Sequence, residues 1–472
     1  MPVTELYRAE TLHEGLGEPF FDRVEPAAFP QHRLRYRNQR WAARVGLDRL
    51  SDAEWIEHFG RFTPLPGGFA HPLALRYHGH QFRVYNPDLG DGRGFLFAQL
   101  RDGEDGRLLD LGTKGSGQTP WSRRGDGRLT LKGGVREILA TEMLEALGVD
   151  TSKTFSLIET GEALMRGDEP SPTRSSVLVR LSHSHIRICT FQRLSFHDDA
   201  AAIDRLVEYV CRHYFPAIAD LPAAERALAF LEETVSRVAR LGVGYMACGF
   251  VHGVLNSDNI NVTGESFDYG PWRFAPVYDP SFTAAYFDEV GLYAFGRQPS
   301  ALGWNLSRLA ECLIHLIGLK PAEQILVSFP SRIQKEFRSA LLDRLGLVSA
   351  GDEADAALAK GFVDFLTATK APFEQCFFDW RGGLASAERA SRSPSAIHYQ
   401  TEAFAPVRAA LAQYRPSPNM RLDHPYFQRP APCTMLIDEV EALWAPIAER
   451  DDWAPLYAKI AEIEEMRSAY ES

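Results

Sequence analysis

The stretch Phe250-Val251-His252-Gly253-Val254-Leu255-Asn256-Ser257-Asp258-Asn259-Ile260-Asn261-Val262, followed by Phe267-Asp268-Tyr269-Gly270-Pro271, decides how the rest of the chain is read. Two short apolar runs flank an Asp-Asn pair, and a second aspartate opens a glycine turn nine residues after Asn259. Taken alone, Asn256, Asp258 and Asn259 would make no more than an Asx-type turn between two strands. The second aspartate, at that distance and before a glycine, shifts the weight towards chemistry.

In kinase-type sites a catalytic loop supplies a base and an Asn ligand for a divalent cation, and the next metal-binding Asp precedes a glycine. Asn259 and Asp268 fit those two metal positions. The base does not fit as simply. Two residues after His252, where a His-Gly-Asp loop would carry its aspartate, stands Val254. An aliphatic side chain accepts no proton, so the nearest substitute is Asp258, immediately before Asn259.

Upstream, Gly94–Leu100, the turn at 102–106 and Leu108–Lys114 read as a hairpin. Val135 to Leu147 has helical spacing and stops before Gly148, a plausible C-terminal cap. Lys114 at a strand end and Glu137 on the following helix are the second constellation, because a strand lysine that meets nucleotide phosphates is held by a helix glutamate in kinase lobes. Glycine clusters at 90–94, 115–117 and 125–127 surround that lysine. Amides free of Cβ atoms approach phosphate closely, and Arg93 adds a forked donor, although each Asp-Gly pair is equally a hairpin turn. Arg180 and Arg187 are seven residues apart, so joint phosphate binding requires a bend between them. The pairs His78-x-His80 and His183-x-His185 lack a third spaced ligand and read as structural.

Working outward, residues 1–69 are mixed and read as an N-terminal extension, 70–185 as a strand-rich lobe, 186–345 as a helical lobe and 346–472 as a helical C-terminal extension. Leu228, Leu231, Val235 and Val238 form one apolar stripe of a core helix. Helical patterns resume at Ala301–Ile317 and Leu341–Phe365, while 381–395 is small and polar and reads as an exposed connection. Leu436–Tyr470 is amphipathic and acidic.

Composition narrows the function. Of 472 residues, 45% are hydrophobic and 24% charged, which excludes wholesale disorder. The 62 acidic against 51 basic side chains give a net charge of −11, adverse to a nucleic-acid binder. No apolar run reaches membrane-spanning length. The acidic N-terminus resembles neither a signal nor a transit sequence, and the six scattered cysteines suit a reducing cytoplasm. There is no Walker motif, no dinucleotide fingerprint, no His-Glu-x-x-His and no nucleophile elbow.

With these segments laid out, the chain resembles the selenoprotein O family of protein adenylyltransferases, kinase-like pseudokinases also described as bacterial protein nucleotidyltransferases. The carriers are Tyr77-His78-Gly79-His80-Gln81-Phe82, Leu89-Gly90-Asp91-Gly92-Arg93, Lys114 to Arg123, Gly125-Asp126-Gly127-Arg128, Arg136-Glu137, His252 to Asn259 and Asp268-Tyr269-Gly270-Pro271. The resemblance implies an α+β, protein-kinase-like two-lobed fold with extensions at both ends. It implies ATP in a flipped orientation, AMP transfer to Ser, Thr or Tyr hydroxyls of proteins, the chain itself among the candidates, and release of pyrophosphate. UMP transfer from UTP is a variant. By the same resemblance Gly90, Gly92, Arg93, Lys114, Asp126, Gly127, Arg180 and Arg187 match nucleotide-binding positions and Glu137 the partner of the lysine. Asp258 matches the proton acceptor, and Asn259 and Asp268 the Mg2+ or Mn2+ ligands. Two departures stand out: Arg83 replaces the family's usual glycine after Gly-His-Gln-Phe, and the chain ends without a terminal Cys or selenocysteine. The rival readings are a kinase that uses the γ-phosphate, disfavoured by Val254, and a silent ATP-binding scaffold.

Overall fold

A computed structural model describes residues 1–471. Its central element is a mixed-length antiparallel sheet in the order Phe21–Arg23, Leu73–Leu75, Leu96–Arg101, Leu108–Lys114, Thr173–Ser182, Lys153–Leu164, Arg33–Arg37. Ala9–Glu10 and Leu129–Thr130 add short pairings at its margins. The expected 94–114 hairpin is the middle of this sheet. Residues 1–69 are more than a covering: three of the strands come from them.

The register does the positioning. Lys114 pairs with Leu178 and Gly112 with Arg180. Since paired residues share a face and alternate residues return to it, Lys114 and Arg180 project to the same side. Against that side packs the Leu131–Ala146 helix, started by Thr130, whose side chain accepts the Gly133 amide. It extends four residues upstream of the expected start at Val135. The opposite side is closed by an aromatic core in which the Asp52–Phe59 helix, opened by a Ser51/Glu54 capping box, sets Trp55 and Phe59 on Phe155.

Below the sheet lies a helical lobe built around Ala223–Cys248 and Gln298–Ile317. Leu231, Val235 and Val238 are fully buried and Leu228 packs at their margin, as the stripe requires. Ala223–Cys248 stops at Gly249, which takes the left-handed conformation and leads straight into Phe250. A second helical core is formed by Phe329–Leu345, Asp352–Thr369 and Phe373–Trp380.

The segment 381–395 meets the expectation of an exposed connection only in part: Leu384, Glu388 and Arg392 are exposed, while Gly382, Gly383 and Ala390 are buried. It forms two short helical turns, with Arg381 buried: its guanidinium donates to the Asp343 and Arg344 carbonyls and lies 4.3 Å from the Tyr470 ring. The acidic tail forms two helices, Ile437–Arg450 and Ala454–Tyr470, that return to the sheet-bearing lobe. Arg467, almost fully buried, reaches Glu142 at 2.7 Å on the Leu131–Ala146 helix, and Asp451 binds Arg35 and Arg174. No helix of the described residues is long and apolar enough to cross a membrane.

Candidate active site

The quoted stretch runs from the short strand Phe250–Val251, paired with Arg273–Phe274, through a 3-10 turn at Ser257–Asn259. His252 ties its two halves together: the buried ring Nε2 is 2.9 Å from the Phe267 carbonyl, and its amide donates to Gln298. Gly253 turns at φ 84°, with the Pro271 carbonyl 3.0 Å from where a Cβ would sit, so only glycine lets the two segments lie this close. Val254 packs against the core. Asp268 has a φ of 67°, the left-handed conformation, uncommon for a non-glycine residue though aspartate tolerates it better than most.

Lys114 Nζ lies 2.5 Å from Glu137 Oε1 and 2.7 Å from Asp268 Oδ1, so the strand lysine, the helix glutamate and the turn aspartate form one chain of charges. Arg180 Nη1 reaches Asp268 at 3.3 Å and Arg187 Nη1 lies 3.9 Å from its other oxygen. The required bend exists: the strand ends at Ser182, and both guanidinium groups converge on the Phe267 ring at 5.2 and 4.9 Å. Arg187 also donates to the Asp258 carbonyl (3.0 Å) and to Asp91 (3.4 Å), and lies over Tyr77.

These groups line one open cavity of about 610 Å³. Gly90, Gly92, Arg93, Lys114, Asp126, Gly127, Arg180, Arg187, Asp258 and Asp268 all face it. Glu137 stands behind Lys114. Asn259 is not in the wall: its Nδ2 is held by the Val254 carbonyl at 2.9 Å. Asp126 is paired with Arg166. Gly127, at φ 70°, sits where a Cβ would be 2.3 Å from Gly117, and a Cβ on Gly90 would strike the Trp121 ring.

Sequence reading gave no role to Asp91, Tyr77, Gln81 or Arg166, all of which line the cavity. The first three sit inside quoted motifs. Arg166 lies in a turn between two long strands and carried no local signal.

Eight Arg or Lys and four Asp side chains line the cavity, an excess of positive charge on an acidic chain. Burial would raise the Asp268 carboxyl, but Lys114, Arg180 and Arg187 outweigh it and hold the group well below the usual carboxylate range. Asp258 behaves oppositely. Burial pushes it up to about 6 against the pull of Arg187, with the Asp268 charge adding to the rise. Arg180 Nε, Arg187 Nε and Asp258 Oδ1 are buried without a hydrogen-bond partner. Such orphaned groups carry a desolvation cost that a bound ligand can relieve.

Chemically the arrangement could meet the charged oxygens of a polyphosphate with its cations and a separate hydroxyl group with Asp258. The residues that could hold a divalent cation offer hard oxygens, the Asp268 carboxylate and the Asn259 amide oxygen, of the type that suits Mg2+ or Mn2+. Among the described residues no group of three or more His, Cys, Asp and Glu side chains forms a metal site by itself. The remaining ligands would have to come from phosphate and water.

The chain is similar to known proteins over nearly its whole length. A curated relative described as protein nucleotidyltransferase YdiU, from Gloeobacter violaceus, is 44% identical over 466 residues, covering 96% of this chain and 94% of its own. The protein of that name from a Synechocystis species is 42% identical over 462 residues, 94% of each chain, and one from a Bradyrhizobium species is 38% identical over 384 residues, 79% of this chain and 76% of its own. The family described as protein adenylyltransferase SelO matches residues 4–464. With that match across almost the whole length, and a kinase-like α+β site beneath it, the chain belongs to the SelO family of protein adenylyltransferases and is an enzyme of the nucleotidyltransferase class.

Proposed function

We propose that this chain transfers AMP from ATP, bound in the flipped orientation, to Ser, Thr or Tyr hydroxyls of proteins, itself included, with release of pyrophosphate. The observation that carries the reading is the convergence of Lys114, Arg180 and Arg187 with Asp258 and Asp268 on one cavity. In it Gly90, Gly92, Arg93, Asp126 and Gly127 cradle the nucleotide, and residues 70–185 and 186–345 are the two lobes. UMP transfer from UTP uses the same cradle.

The acceptor oxygen attacks the α-phosphorus while the bond from that phosphorus to the α,β-bridging oxygen breaks. The hydroxyl proton passes to Asp258 Oδ1, and the electron pair leaves with pyrophosphate. With its carboxyl pushed up to about 6, Asp258 is ionised at neutral pH yet remains a competent base. Lys114, anchored by Glu137, and the two arginines neutralise charge on the phosphate oxygens without reorganising, the main demand of such transfers. Mg2+ or Mn2+, held by Asp268 and Asn259, would supply further neutralisation of the triphosphate.

Val254 in place of a loop aspartate weighs against a γ-phosphate kinase. The six cysteines are all buried free thiols, in keeping with action in a reducing cytoplasm. Incubation with α-labelled and, separately, γ-labelled ATP plus Mg2+ or Mn2+ tests the proposal. Protein label from the α position alone is expected. Label from the γ position would establish a kinase, and nucleotide binding without label a scaffold.

A further inference from the structure

Beside Asp258 stands a small hairpin that the transfer chemistry does not use. Its strands, Gly79–Gln81 and Val84–Asn86, are joined by Phe82 and Arg83 at φ 49° and 64°. A two-residue turn with both φ angles positive favours Asn and Gly, and bulky residues there are strained. The strain is held against the catalytic turn. His80 N donates to Ser257 Oγ (2.9 Å), Phe82 N to Asn256 Oδ1 (2.8 Å), and Gln81 Nε2 faces Asp258 Oδ2 at 3.5 Å.

What the strain achieves is display of an apolar surface. Phe82 meets Phe287 with ring centroids 5.9 Å apart, and Phe287 meets Tyr286 at 5.2 Å. Tyr286 is 83% exposed, Val290 77% and Val84 70%. This loop is fixed from beneath: the buried Asp288 carboxylate accepts the amides of Leu292 (2.7 Å) and Tyr293 (2.8 Å), and Arg297 donates to the Val290 carbonyl. Phe82, Phe287 and Tyr286 thus form one run of neighbouring rings, with Val84 and Val290 exposed on the same two segments, and an apolar surface held rigidly in this way marks an interaction surface.

The geometry points to this platform, Phe82, Val84, Tyr286, Phe287 and Val290, as the dock for the acceptor polypeptide, selecting segments with a large apolar or aromatic side chain within about three residues of the modified hydroxyl. The inference rests on the proposed transfer to protein hydroxyls. The occupant follows from continuity: Asn256–Asp258, which anchor the hairpin tip, also carry the base, so a chain lying on the platform presents its hydroxyl at Asp258. An extended segment advances about 3.3–3.6 Å per residue, so three positions on either side of the modified residue sample about 10 Å of chain.

The test uses the full chain, α-labelled ATP and peptides with one Ser, carrying Phe at each of the three positions on either side or Ala throughout. Wild type is expected to favour at least one Phe peptide over the Ala peptide by fivefold or more in kcat/KM. The double variant Phe287→Ser/Val290→Ser should erase that preference and raise KM for unfolded casein tenfold or more, with ATP Kd and sedimentation coefficient unchanged. Equal use of all peptides by an active wild type, or an unchanged acceptor KM in the double variant, overturns the dock while leaving AMP transfer intact. A parallel loss of ATP affinity also overturns it, and a change in sedimentation would assign the patch to a second copy of the chain instead. Absence of α-label transfer by wild type to any acceptor removes the underlying reading and the dock with it.

Discussion

Replacing Asp258 by Asn should make the protein more stable and nearly inactive. The amide keeps the shape of the carboxylate and still accepts from Gln81, but removes a charge whose carboxyl burial has pushed from an ordinary 3.8 up to about 6. That interval corresponds to roughly 3 kcal/mol against the charged form. The side chain retains some solvent access at the cavity wall, which reduces the gain to about 1–2 kcal/mol. The sign depends on pH. Between about pH 4 and 6 the folded state holds a proton that the unfolded state has lost, so wild-type stability falls as pH rises through this window and the full penalty is present above it. The variant, with nothing to titrate at this position, should therefore exceed wild type in urea midpoint at pH 8 and match it near pH 4. Transfer of α-label at pH 8 should fall by about 10²–10⁴ for loss of the base, and the wild-type rate should decline below pH 6. A variant no more stable than wild type at pH 8, or one whose advantage is the same at both pH values, would refute the electrostatic account of this aspartate.

Four further substitutions follow, three in the cavity wall and one, at Gly106, outside it. Lys114→Met leaves Glu137 and Asp268 buried without their shared cation, and should cost about 3–5 kcal/mol in unfolding free energy while weakening ATP binding by calorimetry at least tenfold. Gly127→Ala forces a Cβ to within 2.3 Å of Gly117 at φ 70° and should weaken ATP binding. Gly106→Ala, at φ 74° with nothing within 4 Å, should lower stability by about 1 kcal/mol and leave ATP binding alone. Because Asp268 and Asn259 are the only two protein donors proposed for the metal, Mn2+ followed by electron paramagnetic resonance should bind tightly only with ATP present. Asp268→Asn should weaken that ternary binding at least tenfold, and chelation should abolish transfer.

Of the proposed catalytic half, the shared location of Asp258 and Asp268 on one cavity was legible because both lie within one short stretch, and local spacing is what a sequence displays; Asn259, in the same stretch, lies behind the wall. The cationic half is assembled by pairing between distant segments. Lys114 and Arg180 share a face only because Lys114 pairs with Leu178 and Gly112 with Arg180, and a slip of one residue would turn Arg180 to the opposite side. Spacing along the chain could therefore pose the need for a bend before Arg187 without supplying it. The hairpin at 79–86 was invisible for a different reason, since Phe82-Arg83 offers none of the Asn or Gly signals by which such turns are recognised. The 381–395 segment was legible only in part because the cover for Arg381 is Tyr470, far along the chain. These failures share a cause: where a conformation is imposed by a distant partner, local preference is silent or contrary. Phe82 and Arg83 are held against preference by Asn256 and Ser257, the neighbours of the proposed base. Turn, strain and catalytic loop are in this sense one unit, and a substitution that relaxes the hairpin should be felt at Asp258 through Gln81.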